Sequence, residues 1–110
     1  MSKVDHHNRN SEREVMLVIS IQTIPGKGHE QIEAYEKLAP IVRGEHGCLQ
    51  YDLHGVVGDD DRFVLIERWA STEALAAHDA TSHMIAADAH SPSFRAAPAQ
   101  VLRVGADSLA

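Results

Sequence analysis

The chain has 110 residues and a formal net charge of −6, which predicts a single domain of modest size that a partner subunit would help to bury. The ten lysines and arginines are scattered, so no basic patch favours nucleic acid or an anionic membrane as a partner. Cys48 is the only cysteine, and neither a signal segment nor an apolar run of roughly 20 residues is present, so a cytoplasmic protein is expected.

The first part of the chain predicts a polar tail, a strand and a helix. Residues 1–14 offer almost nothing to bury and are predicted to be mobile. Residues 15–23 are rich in β-branched side chains and end at a Pro-Gly turn, which predicts a strand. Residues 27–43 carry apolar side chains at helical spacing, which predicts an amphipathic helix kinked at Pro40.

A second strand follows, in which Leu49, Tyr51 and Leu53 alternate with polar residues. Residues 55–61 are predicted to connect it to the next strand. The three consecutive aspartates that end this connection, 59–61, are interpreted as a solvated turn, because neighbouring side chains do not converge easily on a metal ion.

The remaining sequence predicts one further strand, a helix, and a closing strand. Residues 63–69 form the third strand, and Ser71 is the expected N-cap of a helix over 72–80. Residues 81–98 are interrupted by serine and proline and are expected to contain one or two short helical turns. Residues 99–104 supply the last strand.

The predicted order is β-α-β-β-α-β, which is typical of the α+β ferredoxin-like split βαβ fold with a four-stranded antiparallel sheet. The domain would span residues 15–104, followed by a C-terminal tail over 105–110. The first strand carries apolar side chains on both faces, whereas two helices cover only one face of such a sheet. A homodimer packed sheet to sheet is therefore predicted.

Several short motifs, in order along the chain, resemble the antibiotic biosynthesis monooxygenase family, nearest its quinol monooxygenase-like branch. They are Glu45-His46-Gly47-Cys48-Leu49-Gln50-Tyr51, Glu67-Arg68-Trp69, Ser71, Glu73-Ala74-Leu75, His78 and Thr81-Ser82-His83-Met84. The resemblance implies a ferredoxin-like protomer, a homodimeric α+β barrel, and a pocket between sheet and helices. It also implies oxidation of a small quinol or phenolic aromatic by O₂ without metal, flavin or other cofactor.

The resemblance leaves other functions open. A non-catalytic dimeric domain that binds a small ligand or acts in stress response would have the same fold, as would an isomerase of the same family acting on a sugar phosphate. Haem-opening relatives carry a tryptophan and a histidine where this chain has His78 and Asp88, which leaves His90 as the nearby substitute.

Two histidines are the candidate catalytic bases, because an unperturbed histidine titrates near neutral pH. His83 is the first choice and His78 the second. The alternative for His83 is helix-end hydrogen bonding or solvent exposure, and for His78 it is a structural contact with the sheet or the other subunit. Because five positions separate them, an ideal helix would place them about 140° apart, which argues against a shared metal site. Metal ligation is therefore not predicted.

Aromatic side chains are the candidate walls of the pocket. Tyr51, Trp69 and Phe63 are predicted to contact the substrate, with core or dimer packing as the alternative for Trp69. Glu67 stands between apolar neighbours, so it must find a partner if buried, and the candidates are Arg68 of a neighbouring strand, His78 or a group across the dimer. Cys48 is interpreted as a small buried residue rather than a nucleophile.

Overall fold

A computed structural model describes residues 13–109. It contains four strands and three α-helices, and most of the predicted tail over 1–14 lies outside the described residues. The elements are β1 (Val15–Gln22), α1 (Gly28–Arg43), β2 (Cys48–Val56), β3 (Asp59–Trp69), α2 (Thr72–Asp79), α3 (Ser82–His90) and β4 (Gln100–Gly105). A short 3₁₀ helix, Ser91–Ser93, follows α3.

The four strands form one antiparallel sheet in the order β2-β3-β1-β4. In the register of the two central strands, Leu17 lies opposite Glu67 and Ile19 opposite Leu65. This arrangement confirms the predicted α+β ferredoxin-like fold.

The alternation in β1 decides which side of the sheet becomes the core. Val15, Leu17, Ile19 and Ile21 are all buried, whereas the side chains between them, such as Val18, are half-buried on the opposite face. The helices pack on the first of these faces, called here the inner face. The site described below lies between the inner face and the helices.

The connection between β2 and β3 is shorter than predicted. Val56 pairs with Asp59, so the turn is Val57-Gly58 and not the whole of 55–61. Gly58 has a φ of 84°, a conformation that glycine adopts without strain. The two strands therefore extend further, and the three aspartates belong to β3.

Asp61 corrects the interpretation of the aspartates as a solvated turn. Its carboxylate accepts hydrogen bonds from the backbone N–H groups of Gly26 and Gly28 and from the hydroxyl of Thr23, at 3.1–3.2 Å. These are charge-assisted bonds to the loop between β1 and α1. The aspartate fixes the start of α1 against the sheet.

One of the two proline-containing regions differs in detail from expectation. The helix α1 continues through Pro40, and a kink at this residue stays a prediction. Helix α3 is a full nine-residue helix, where only short turns were expected. No helix in the described part of the chain is long and apolar enough to span a bilayer.

Candidate active site

A cavity of about 540 Å³ lies between the inner face of the sheet and helices α1 and α3. Its apolar lining comes from strands and helices alike and includes Leu17, Ile19, Leu38, Leu65, Met84 and Val101. Several polar side chains also reach it, among them Tyr51, Glu67, His78, His83 and Arg95. A mostly apolar pocket with a few convergent polar groups is the usual form of a small-molecule site.

Glu45 is brought to this site by the turn between α1 and β2. The turn closes at Gly47, whose φ is 80°. A Cβ atom at Gly47 would lie 2.5 Å from the Cβ of Ala74 in α2, so only glycine allows this close approach. The turn therefore packs directly on α2 and holds Glu45 beside His78.

Thr81 separates the helices that carry the two histidines. Its hydroxyl donates to the carbonyl oxygen of His78 at 2.8 Å and accepts from the backbone N–H of Met84 at 3.3 Å. It thus forms the N-cap of α3 immediately after α2 has ended. His78 and His83 consequently belong to different helices, and the angle expected on one continuous helix does not apply.

The two histidines converge on a single carboxylate. Glu45 Oε1 lies 3.0 Å from His78 Nδ1, and Glu45 Oε2 lies 2.6 Å from His83 Nε2. Because an ionised carboxylate only accepts, each ring nitrogen donates its N–H to Glu45. The three side chains are called the Glu45 cluster below.

The Glu45 cluster also has a donor set that metals use. Its carboxylate oxygen and two imidazole nitrogens lie within 4.8 Å of one another. Two histidines and one carboxylate can bind zinc or iron(II) while leaving positions open for other ligands. The sequence argument against shared ligation was wrong in its premise, because it placed both histidines on one helix.

Glu67 lies behind the cluster and is almost fully buried. Its Oε1 accepts a hydrogen bond of 2.9 Å from Trp69 Nε1 and lies 3.8 Å from His78 Nε2. Burial raises the pKa of Glu67, and the Trp69 hydrogen bond partly opposes this effect. The predicted need for a buried partner is thus confirmed, and Trp69 makes the closer contact.

The three predicted aromatic contacts occupy different places. Tyr51 lines the cavity, whereas Trp69 and Phe63 are buried in the core and are not among its lining residues. Trp69 is wholly buried, with its ring centre 4.4 Å from that of His78. This position favours the packing alternative for Trp69. Substrate contact by Trp69 or Phe63 stays a prediction.

Tyr51 presents a hydrogen-bond donor to the cavity. Its hydroxyl makes no hydrogen bond with any described residue, although its backbone carbonyl accepts from Tyr35 and Arg43. Burial raises the pKa of Tyr51 above its ordinary value of 10, so the hydroxyl remains protonated at neutral pH. It can therefore donate to a bound molecule.

Comparisons with known proteins agree with this architecture. The sequence profile of the antibiotic biosynthesis monooxygenase family matches residues 14–90. The chain belongs to the antibiotic biosynthesis monooxygenase family. "Putative monooxygenase YcnE" of Bacillus subtilis is 32% identical over 89 residues, which cover 81% of this chain and 94% of YcnE.

Two further similarities extend the family comparison. "Probable quinol monooxygenase YgiN" of Escherichia coli is 35% identical over 62% of this chain and 75% of its own. The crystal structure of a "putative antibiotic biosynthesis monooxygenase" from Caulobacter crescentus superposes with a TM-score of 0.83 at 26% identity. That match covers 94% of this chain and 99% of the other.

The sequence did not predict how Glu45 and Thr81 shape the candidate site. Nothing in the local pattern around Glu45 shows that it meets two later histidines. Thr81 was the available signal, since threonine is a favoured N-cap residue and predicts a helix break between His78 and His83. Cys48 is half-buried, and burial raises the pKa of its thiol, which agrees with its interpretation as unreactive.

Proposed function

We propose that the protein is a cofactor-independent monooxygenase that oxidises a small quinol or phenolic aromatic with O₂. The observation that carries the proposal is the position of His83. Its imidazole is hydrogen-bonded to the carboxylate of Glu45 and also lines an apolar cavity of a size suited to a small aromatic molecule. The names of the relatives YcnE and YgiN support the same reaction class.

His83 is the proposed base. Because its Nε2–H donates to Glu45, the neutral ring carries its lone pair on Nδ1. Glu45 then fixes the tautomer and stabilises the imidazolium that forms when Nδ1 accepts a proton, as a carboxylate does for the histidine of a catalytic triad. His78 is proposed to act through Glu45, as a positioning residue.

The chemistry requires only the substrate and O₂. Removal of a phenolic proton gives an electron-rich anion, which can transfer an electron to triplet O₂ where the neutral phenol cannot readily do so. One oxygen atom then forms a bond to a ring carbon and the other leaves as water, so hydroquinone and O₂ give hydroxybenzoquinone and H₂O. The substrate supplies all four electrons, and Tyr51 is proposed to hold its anionic oxygen by a hydrogen bond.

Oxygen uptake tests this proposal. On a panel of hydroquinones, the wild type should consume O₂, and His83→Ala should lower kcat by about a hundredfold to ten-thousandfold, the usual contribution of a general base. His29→Ala is the matched control, because His29 is exposed and does not line the cavity. Absence of uptake on every quinol would overturn the enzyme assignment and favour a ligand-binding domain. Full activity in His83→Ala would overturn its role as base.

We also propose that the protein is a homodimer, packed through the outer face of the sheet. Ile66, Val18 and Leu102 lie side by side across β3, β1 and β4 on this face, and Leu102 is 61% exposed. The helices cover only the inner face, so a second copy is the proposed cover for this apolar row.

Sedimentation equilibrium at micromolar concentration tests the dimer. The expected mass is twice the 12.0 kDa of one chain. Ile66→Glu should shift the mass to one chain, because it places a charge in the proposed interface. Val57→Glu is the control, since Val57 lies in the β2–β3 turn and is fully exposed. A wild-type mass of one chain would contradict the proposal.

A further inference from the structure

Arg95 lies at the wall of the cavity and is held from two sides. It forms a β-bridge with Thr23, just beyond the end of β1. Its Nε donates a hydrogen bond of 3.0 Å to Oε1 of Gln31, a buried residue of α1. The backbone and one edge of the guanidinium are therefore fixed.

The rest of the guanidinium has no partner in the described part of the chain. Arg43, Arg62 and Arg68 each form an ion pair with a carboxylate, at distances from 2.7 to 3.6 Å. Arg95 is half-buried, yet no described carboxylate lies within ion-pair distance of it. Asp88 and Tyr51 interact with it electrostatically, without an ion pair or a hydrogen bond between the side chains. Its two terminal NH₂ groups are thus available to an acceptor.

A half-buried cation without a counter-ion has a free-energy cost that a bound anion would offset. Two terminal NH₂ groups of one guanidinium match the two oxygens of a carboxylate, and such bidentate pairs are among the strongest hydrogen-bonded contacts in proteins. An anion entering a cavity with mainly apolar walls needs this kind of partner. A neutral aromatic molecule would leave both NH₂ groups unpaired.

We infer that Arg95 binds a carboxylate group of the aromatic ligand, so that the substrate class is a carboxylated phenol or quinol. The inference rests on the proposed function only in calling this ligand a substrate. Arg95 fixes one end of the molecule, and His78 and His83 of the Glu45 cluster line the cavity from α2 and α3. Arg95 thereby determines which ligand binds and how it is oriented, while His83 accepts the phenolic proton.

Binding under anaerobic conditions tests the subsite independently of any oxidation. The matched probes are para-hydroxybenzoate and para-hydroxybenzamide, which have nearly the same shape and differ in charge. By calorimetry, the wild type should bind the carboxylate about tenfold to a hundredfold more tightly than the amide. Equal affinities in the wild type would overturn the inference without recourse to any variant.

Variants localise the preference. Arg95→Gln should abolish the discrimination between the two probes, and Arg95→Lys should retain part of it because charge persists without the bidentate geometry. Arg62→Gln is the control, since Arg62 is exposed, pairs with Asp59 and does not line the cavity. A full preference in Arg95→Gln would overturn the assignment to Arg95.

Kinetics separate this inference from the proposed oxidation. With gentisate, a carboxylated hydroquinone, Arg95→Gln should raise KM about tenfold or more, whereas KM for hydroquinone itself should change little. An unchanged KM for gentisate would overturn the inference. If neither compound is oxidised but the carboxylate preference persists, the proposed oxidation of these quinols fails and the carboxylate-binding site remains.

Discussion

His78 and His83 share one carboxylate but lie in very different surroundings. His78 is 1% exposed and packs between Trp69 and Tyr51, whose ring centres lie 4.4 and 6.1 Å away. The His83 side chain is 24% exposed and lies in the first turn of α3, beside the cavity. A common hydrogen-bond acceptor therefore does not imply a common role.

The difference follows from the hydrogen-bond partners that surround each imidazole ring. His78 is enclosed by core residues and has a carboxylate near each ring nitrogen. His83 has one ring nitrogen on Glu45, and its other nitrogen makes no hydrogen bond with any described residue. We therefore expect His78 to stabilise the fold and His83 to serve the chemistry, and substitutions can test the two roles separately.

The largest effect on stability is expected from His78→Ala. The substitution leaves a cavity next to Trp69 and removes a partner from the buried carboxylate of Glu67. We expect a loss of about 3–5 kcal/mol in the free energy of unfolding, measured by urea titration at pH 7. His83→Ala, the internal control, should cost about 1 kcal/mol or less. Equal losses for the two variants would remove the distinction between them.

A smaller effect, on activity, is expected from Glu45→Gln. The amide can still accept one N–H but no longer carries the charge that stabilises a protonated His83. We expect kcat for quinol oxidation to fall about tenfold to a hundredfold, which corresponds to the loss of one or more charge-assisted hydrogen bonds. Glu33→Gln on the exposed face of α1 is the control. Retention of wild-type kcat in Glu45→Gln would show that Glu45 does not act through His83.

Much of the fold could be predicted because its signals are local. The run of β-branched residues over 15–23 predicted β1, and Ser71 was confirmed as an N-cap whose hydroxyl accepts from the backbone N–H of Ala74. Asp61 shows the limit of predictions made from local sequence signals. Its partners lie 33–38 residues away, so no local pattern reveals that it caps the β1–α1 loop.

The site was less predictable for the same physical reason. The histidines and Tyr51 could be chosen by residue type and strand parity, and the structure places all three at the cavity. The bond between Glu45 and His83 spans 38 residues and depends on how a turn packs on α2. The position of Arg95 likewise depends on its β-bridge to Thr23, which is distant in the sequence. Such convergence is a property of the tertiary structure.

A pH effect is expected from Glu67→Gln, and its sign can be derived. Burial raises the pKa of Glu67 in the folded protein above its ordinary value of about 4.5. Its stabilising contribution is therefore complete below pH 4.5 and is lost as the pH rises through the folded pKa. Glu67→Gln cannot ionise, so its stability relative to wild type should increase with pH, as measured by urea unfolding from pH 4 to 8. A constant difference across that range would show that Glu67 titrates normally.

The smallest effect, an unchanged rate, is expected from removal of divalent metal. The Glu45 cluster could ligate a metal, but each oxygen of the carboxylate also accepts a hydrogen bond from one of the two histidines. If His83 acts as a base, dialysis against a chelator should leave kcat within about twofold. Loss of activity on dialysis, with recovery on adding back iron(II) or zinc, would make both histidines ligands. That result would erase the division of roles between them, because His83 Nε2 would then bind metal in place of donating its proton to Glu45.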